Sequence, residues 1–229
     1  LFDEDILMRK RVHPMLSTRS VNKRGEGANL RREILNSASA LLAKAAPDES
    51  VSLRAIARNA GISAPAIYAH FADRDAILDV LVAEYFEALG DVLADCLDSN
   101  LDNRQQFYAL WYGYVAWAKG SPGRYRVLFS RNQSNLTSSA TRIRPPESLR
   151  AWDILIATLT HCIEDGSSIS TDPVSDMNAL WAAIHGFIIL VPHTPPHPWQ
   201  PTEVMLNHYI HTLGRFVGQP LLYDGWIAE

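Results

Sequence analysis

Residues 52–81 read SLRAIARNAGISAPAIYAHFADRDAILDVL. Two short segments with helical periodicity, 53–60 and 64–70, are joined by only Gly61, Ile62 and Ser63. Ser52 stands where an N-cap is needed, because its side-chain oxygen can accept from an otherwise unsatisfied backbone N–H. Val51 and Ile56 can close over that cap, and Ile62 and Ile67 can do the same for the next segment. Gly61 predicts a left-handed stop. Ser63 is placed to cap the second segment, with Pro65 in the first turn, where its missing N–H costs little. Phe71 closes the unit, and Asp73 caps a long helix whose predicted buried stripe is Ile77, Leu81, Tyr85, Leu89, Val92 and Cys96.

Upstream, Asn29–Ala46 places Leu30, Ile34, Leu35, Ala38, Leu41 and Leu42 on one helical face before Pro47 ends it. Three short helices would then bury Leu35, Leu42, Ile56, Ala57, Ile67 and Phe71 together. The brief connection between the second and third is helix-turn-helix spacing. Such a connection holds the third helix across the second, in a form that a DNA major groove admits.

The outward positions of that helix fit this reading. Ala64, Ala66 and Ala69 are small and would let the backbone approach the duplex, with Ser63 at the DNA-facing start of the helix. The alanine methyls could meet thymine methyls. Tyr68 and His70 can donate to phosphate oxygens. Arg54 is placed for bidentate contact with guanine or phosphate, and Arg74 for a phosphate at a helix start. Two bland roles stay open: Tyr68 as a core aromatic and His70 as a hydrogen bonder at a hinge.

The net charge of −4 hides an asymmetry. Residues 9–32 carry eight basic side chains and a single acidic one, Glu26. A basic arm ahead of an acidic body suits a protein that meets a polyanion at one end. An ordinary solvated tail would show the same composition. Residues 1–28 are read as this flexible basic arm, 29–75 as a helix-turn-helix unit and 76–229 as a larger second domain.

The run 52–81 resembles the DNA-binding signature of the TetR family of bacterial regulators. The resemblance lies in the Ala57–Gly61 turn region, Ile62-Ser63, Ile67-Tyr68, His70-Phe71, Arg74 and Leu78, and extends back to about residue 30. It implies an all-helical homodimer whose first three helices bind an operator half-site on double-stranded DNA. The larger domain would hold the dimer interface and a cavity for a small-molecule effector. By the same resemblance Arg54, Ala64, Ala66, Tyr68, His70 and Arg74 face DNA. The family often has lysine near position 72 or 74, and this chain has Ala72 and Arg74.

Beyond residue 81 helical periodicity persists, without a strand pattern or an internal repeat. Helices are predicted at 103–119, 124–130, 147–164, 174–191 and 202–217, with Gly120–Gly123 as a break, 132–146 as a loop and a proline-rich turn at 192–201. The fold class is therefore all-α. The segments SPGRYRVLFS (121–130) and ALWAAIHGFIIL (179–190) are similar to a TetR subgroup with a Trp…His-Gly segment on its penultimate helix.

Large flat side chains recur across these helices. Trp111, Tyr114, Trp117, Phe129, Trp152, Trp181 and His185 are the candidate effector-binding residues, led by Tyr114, Trp117, Trp181 and His185. Each could equally fill an ordinary core. As a group they suit an apolar pocket with a few polar tips, taking a hydrophobic or aromatic ligand with an acceptor for His185. The last two helices, about 175–190 and 202–217, are long enough to form a four-helix interface with a symmetry mate.

Other classes find less support. Cys96 and Cys162 lie in amphipathic patterns with no paired spacing, which reads as two reduced core thiols. His193 and His197 form an HxxxH pair without the neighbouring glutamate of a zinc hydrolase, and His208 and His211 share a helix face without a third ligand. No nucleophile elbow or glycine-rich phosphate loop is present. No metal, cofactor or catalytic residue is therefore expected, and the chain is read as a cytoplasmic regulator rather than an enzyme or structural protein. No apolar run reaches the roughly 18 residues that a membrane span requires. Repression, activation and ligand-independent regulation depend on where an operator lies, which the sequence does not show.

Overall fold

The computed structural model describes residues 27–44, 51–129, 147–192 and 198–221. Among these residues the chain forms nine α-helices and no strand. They are α1 (Gly27–Lys44), α2 (Leu53–Asn59), α3 (Ala64–Ile67), α4 (Arg74–Asp95), α5 (Asn103–Gly120), α6 (Pro122–Phe129), α7 (Glu147–Glu164), α8 (Pro173–Leu190) and α9 (Thr202–Leu213). Residues 1–26 of the predicted 1–28 arm lie outside the described residues, as do Pro47 and the His193–His197 pair, whereas Gly27 and Ala28 already belong to α1.

Local signals set several helix ends. Ser52 Oγ accepts from the Ala55 N–H at 3.2 Å, and Asp73 accepts from Ala76 at 2.8 Å. Asp102 and Gln105 cap α5 reciprocally. Gly61 is left-handed (φ 66°). Gly61 N–H donates to the Arg58 carbonyl and Ile62 N–H to the Ala57 carbonyl, which is the Schellman pattern. Ser63 departs from the prediction: its side chain makes no cap bond. The turn is instead held by backbone, with Ala66 N–H donating to the Ser63 carbonyl at 3.0 Å. The helical part of α3 is correspondingly short, and turns carry the chain on to Phe71, whose N–H donates to the Ile67 carbonyl.

Two cores form. The first gathers Ile34, Leu35, Ala38, Val51, Ile56, Ala57, Ile67 and Phe71 from α1–α3. The second gathers α5, α7, α8 and α9 around Phe107, Tyr108, Trp111, Tyr114, Leu155, Leu159, Leu180, Ile184 and Ile210. Helix α4 belongs to both, through Ile77, Leu81 and Tyr85 in the first and Leu89, Leu93 and its C-cap Cys96 in the second. The buried position in its last turns is Leu93 rather than the predicted Val92, which is half-exposed. At 22 residues α4 spans about 33 Å at 1.5 Å per residue, enough to link the two cores as one rod. Helix α7 lies along α4 and α5. Gly90 lets the Arg150 stem pass close to α4, and Arg150 pairs with Asp91 at 2.5 Å.

Two departures from the sequence reading have clear causes. The sequence pattern puts Gly123 in a break between helices, yet it sits inside α6. Its missing side chain lets α6 approach α1, where a Cβ would overlap the Cα of Ala43. The pattern also carries the last helix to about Val217, whereas α9 stops at Leu213. A Cβ on Gly214 would lie 2.6 Å from both the Ile210 carbonyl oxygen and the Phe216 ring, and Arg215 is left-handed (φ 55°). The chain thus turns sharply and pairs with the segment after α7. Ile169 N–H donates to the Arg215 carbonyl, and Val217 N–H to the Ser167 carbonyl, each at 3.0 Å. Arg104 holds this corner from α5, donating to the carbonyls of Val217 and Gln219 and stacking over Phe216.

Candidate nucleic-acid interface and ligand cavity

Helix α3 and the turn after it present one outward surface. Tyr68 is 61% exposed, the most open aromatic side chain of the first core unit. Ser63, Pro65 and Ala69 are exposed beside it, and Arg54 is exposed at the start of α2. Ala64 and Ala66 are half-buried, and Ala64 packs against the first core. His70 is half-buried against the start of α1, 3.7 Å from where a Cβ on Gly27 would stand.

Arg74 has a structural bond that the sequence did not reveal. Its Nε–H donates to the Val51 carbonyl at 2.8 Å, tying the entry of α2 to the first turn of α4. Two more arginines are engaged nearby. Arg31 stacks over Phe71 at 4.9 Å, and Arg32 pairs with Glu84 at 2.7 Å. These contacts brace α1 against Phe71 and α4.

A cavity of about 280 Å³ opens between α4, α5, α6, α7 and α8. Four predicted residues line it: Tyr114, Phe129, Trp152 and Trp181. Three do not. Trp111 is wholly buried between Phe107 and Tyr114 in the second core. Trp117 packs on Tyr125, and His185 stands behind the wall against Tyr125, Phe129 and Trp181. The remaining wall is Val82, Phe86, Leu89, Leu93, Leu128, Ser148, Ala151, Leu155 and Asn178. The aliphatic members were missed because such residues at helical spacing read as core, and Phe86, Ser148 and Asn178 carry no local signal of a cavity. The spacing of Val82, Phe86, Leu89 and Leu93 does mark a second apolar face on α4, beside the stripe that runs through Tyr85.

Polar groups meet at one end of the wall. The Trp181 indole N–H donates to the Tyr114 hydroxyl at 3.1 Å, which lies 3.3 Å from the Tyr125 hydroxyl. Tyr125 in turn lies 2.5 Å from His185 Nδ1. Burial pushes Tyr114 up to about 12, raises Tyr125 further, and holds His185 below its ordinary 6.5. All three are thus neutral near pH 7. Burial likewise raises Cys96, and pushes Cys162 up to about 12, so both thiols are protonated and poorly reactive.

Helix α6 joins the cavity to the first core. Leu128 lines the cavity and also packs with the α1–α3 core. Arg126 donates to the Leu42 carbonyl at 3.3 Å, and Arg124 sits over Tyr85, whose hydroxyl donates to Ser39 Oγ at 2.7 Å. Among the described residues, no group of three metal-ligating side chains occurs, and no helix is long and apolar enough to cross a membrane.

Comparison with known proteins fits this geometry. The profile described as "Bacterial regulatory proteins, tetR family" matches residues 34–81. A second, "Tetracyclin repressor-like, C-terminal domain", matches residues 107–212. Among solved structures, a protein of unknown function from Rhodococcus sp. RHA1 is 23% identical, with a TM-score of 0.65 over 85% of this chain and 98% of its own. The TetR family transcriptional regulator PfmR from Thermus thermophilus is 18% identical, with a TM-score of 0.57 over 81% of this chain and 99% of its own. A bacterial regulatory protein in the tetR family from Rhodococcus RHA1 is 16% identical, with a TM-score of 0.60 over 82% and 97%. No curated protein matches the chain. The structural likenesses carry the fold, and the two profiles, which between them take in both the helix-turn-helix unit and most of the larger domain, carry the family: the chain belongs to the TetR family of bacterial transcriptional regulators.

Proposed function

We propose that this DNA-binding regulator is a homodimeric repressor, released from a palindromic operator when a small apolar or aromatic molecule enters the cavity. The observation that carries the reading is the double membership of Leu128, which is at once cavity wall and part of the core that positions α3. A ligand that displaces Leu128 or Phe129 has to move α6. Because Gly123 puts α6 in backbone contact with α1, that movement reaches the DNA-binding unit.

In this proposal Tyr68, Ser63, Ala64 and Ala66 meet the major groove, with Arg54, His70 and Arg74 on phosphates. The 1–28 arm adds sequence-independent attraction. Dimerisation runs through α8 and α9, which pack together on the second core and leave Val174 and Val204 each 51% exposed. A two-fold dimer would set its α3 helices about one helical turn of DNA apart, matching an inverted repeat. Induction is then linkage: ligand and operator favour different spacings, and each weakens the other by one factor.

The test is operator affinity by fluorescence anisotropy, with and without a saturating aromatic ligand identified by thermal-shift screening. The affinity should fall by roughly 5- to 150-fold. Equal affinities with the cavity demonstrably filled would contradict ligand-controlled release.

A further inference from the structure

The cavity wall contains no charged side chain, and two of its polar members, Tyr114 and Trp181, belong to a hydrogen-bonded chain that leads away from it. The chain runs from Trp181 Nε1 to the Tyr114 hydroxyl, to the Tyr125 hydroxyl, to His185 Nδ1. Tyr125 and His185 lie behind the wall.

The donor inventory fixes the direction of the protons. An indole N–H can only donate, so one lone pair of the Tyr114 oxygen is taken by Trp181. The Tyr114 hydroxyl donates to the Tyr125 oxygen at 3.3 Å, which leaves the Tyr125 proton for His185 Nδ1, 2.5 Å away, in the tautomer whose Nδ1 is unprotonated. Tyr125 therefore donates, and Nδ1 of the neutral imidazole accepts. Every proton of the chain is directed toward His185, and the Tyr114 oxygen retains only a lone pair for a further partner.

We infer that the cavity is specific for an uncharged, flat, apolar molecule carrying a hydrogen-bond donor, which the Tyr114 hydroxyl oxygen accepts. The inference rests on the reading of the cavity as the effector site and adds the ligand's charge and polarity. A carboxylate would lose its hydration against an apolar wall and face a lone pair. An ammonium would lose its hydration with no anion on the wall to replace it. A neutral ligand with only an acceptor would leave the Tyr114 lone pair unmatched.

The test is calorimetric titration of the full chain, without DNA, using three bicyclic probes of one shape: indole, 1-benzofuran and indole-3-carboxylate. Indole should bind about tenfold tighter than 1-benzofuran, and the carboxylate should not bind measurably. Tyr114→Phe should bring indole and 1-benzofuran level, and the wild-type ratio stands as evidence even if that variant folds poorly. Equal or tighter binding of 1-benzofuran, binding of the carboxylate, or failure of both neutral probes would overturn the inference. Because no DNA is present, these outcomes are independent of operator binding. Indole that binds as expected but leaves operator affinity unchanged would count against the effector reading alone.

Discussion

Gly123 of α6 lies against Ala43 of α1 with no room for a side chain between them, the Ala43 N and Cβ standing 3.2 Å from where a glycine Cβ would be. Two helices from different cores thus meet backbone to backbone. Gly123→Ala should force them apart. Overpacking of this kind costs about 1–3 kcal/mol, which outweighs the gain of up to about 1 kcal/mol from replacing a helical glycine. The urea midpoint should fall, and operator affinity should fall further than the stability loss accounts for. A raised midpoint with unchanged DNA binding would show that the contact transmits nothing.

The exposed surface of α3 lets the proposed DNA contact be tested apart from folding. Tyr68→Ala and Arg54→Ala remove exposed side chains, and surface changes of this kind stay within about 0.5 kcal/mol of neutral. Melting temperatures should hold while operator affinity drops. Arg74→Ala should behave differently, because it also removes the bond to the Val51 carbonyl. It should cost about 1 kcal/mol of stability as well as affinity. Thermal melts beside anisotropy titrations make the comparison, and a fully stable Arg74→Ala protein would mean that the bond holds nothing together.

His185 gives the fold a pH dependence with a defined sign. Burial among Tyr125, Phe129 and Trp181 holds it below 6.5 in the folded state. As pH falls, the unfolded chain binds the proton first, so stability is complete above the unfolded value and declines below it. Melting temperature should drop between about pH 7.5 and 5.5, and the slope should be shallower in His185→Gln. His211 is also lowered, by burial first and then by Arg104, and adds a slope of the same sign. Identical slopes for wild type and His185→Gln would place the titration elsewhere.

Val174 and Val204 offer a direct check on assembly. Replacing both with aspartate puts charge on half-open apolar positions of α8 and α9, where an isologous interface would bring each against the mate's copy of the same face. Light scattering should report a folded monomer with little operator affinity. A dimer that survives both changes would place the interface on another surface.

Legibility in the sequence followed the range of the interactions. The α1–α4 unit was readable because Ser52, Gly61 and Asp73 each act on backbone within a few residues of themselves. Ser63 looked the same in sequence, yet its turn is held by backbone. The end of α9 was not readable, since Gly214 and Arg215 answer to residues 167–169 and to Arg104, far away in the chain. Gly123 looked like punctuation because only the tertiary approach of α1 shows why it lacks a side chain. The cavity was half legible. Its aromatics stand out, but nothing local tells Trp152 and Trp181, which line it, from Trp111, which the second core encloses.

The proposed operator recognition, effector release and assembly all turn on a dimer that binds an inverted repeat, and selection from a random duplex library by the purified, ligand-free chain is the decisive measurement. The predicted result is an enriched palindrome whose half-sites lie about one helical turn apart, bound with a steep dependence on salt. A folded dimer that enriches no sequence at low and moderate salt, before and after refolding to strip any copurified ligand, would contradict it.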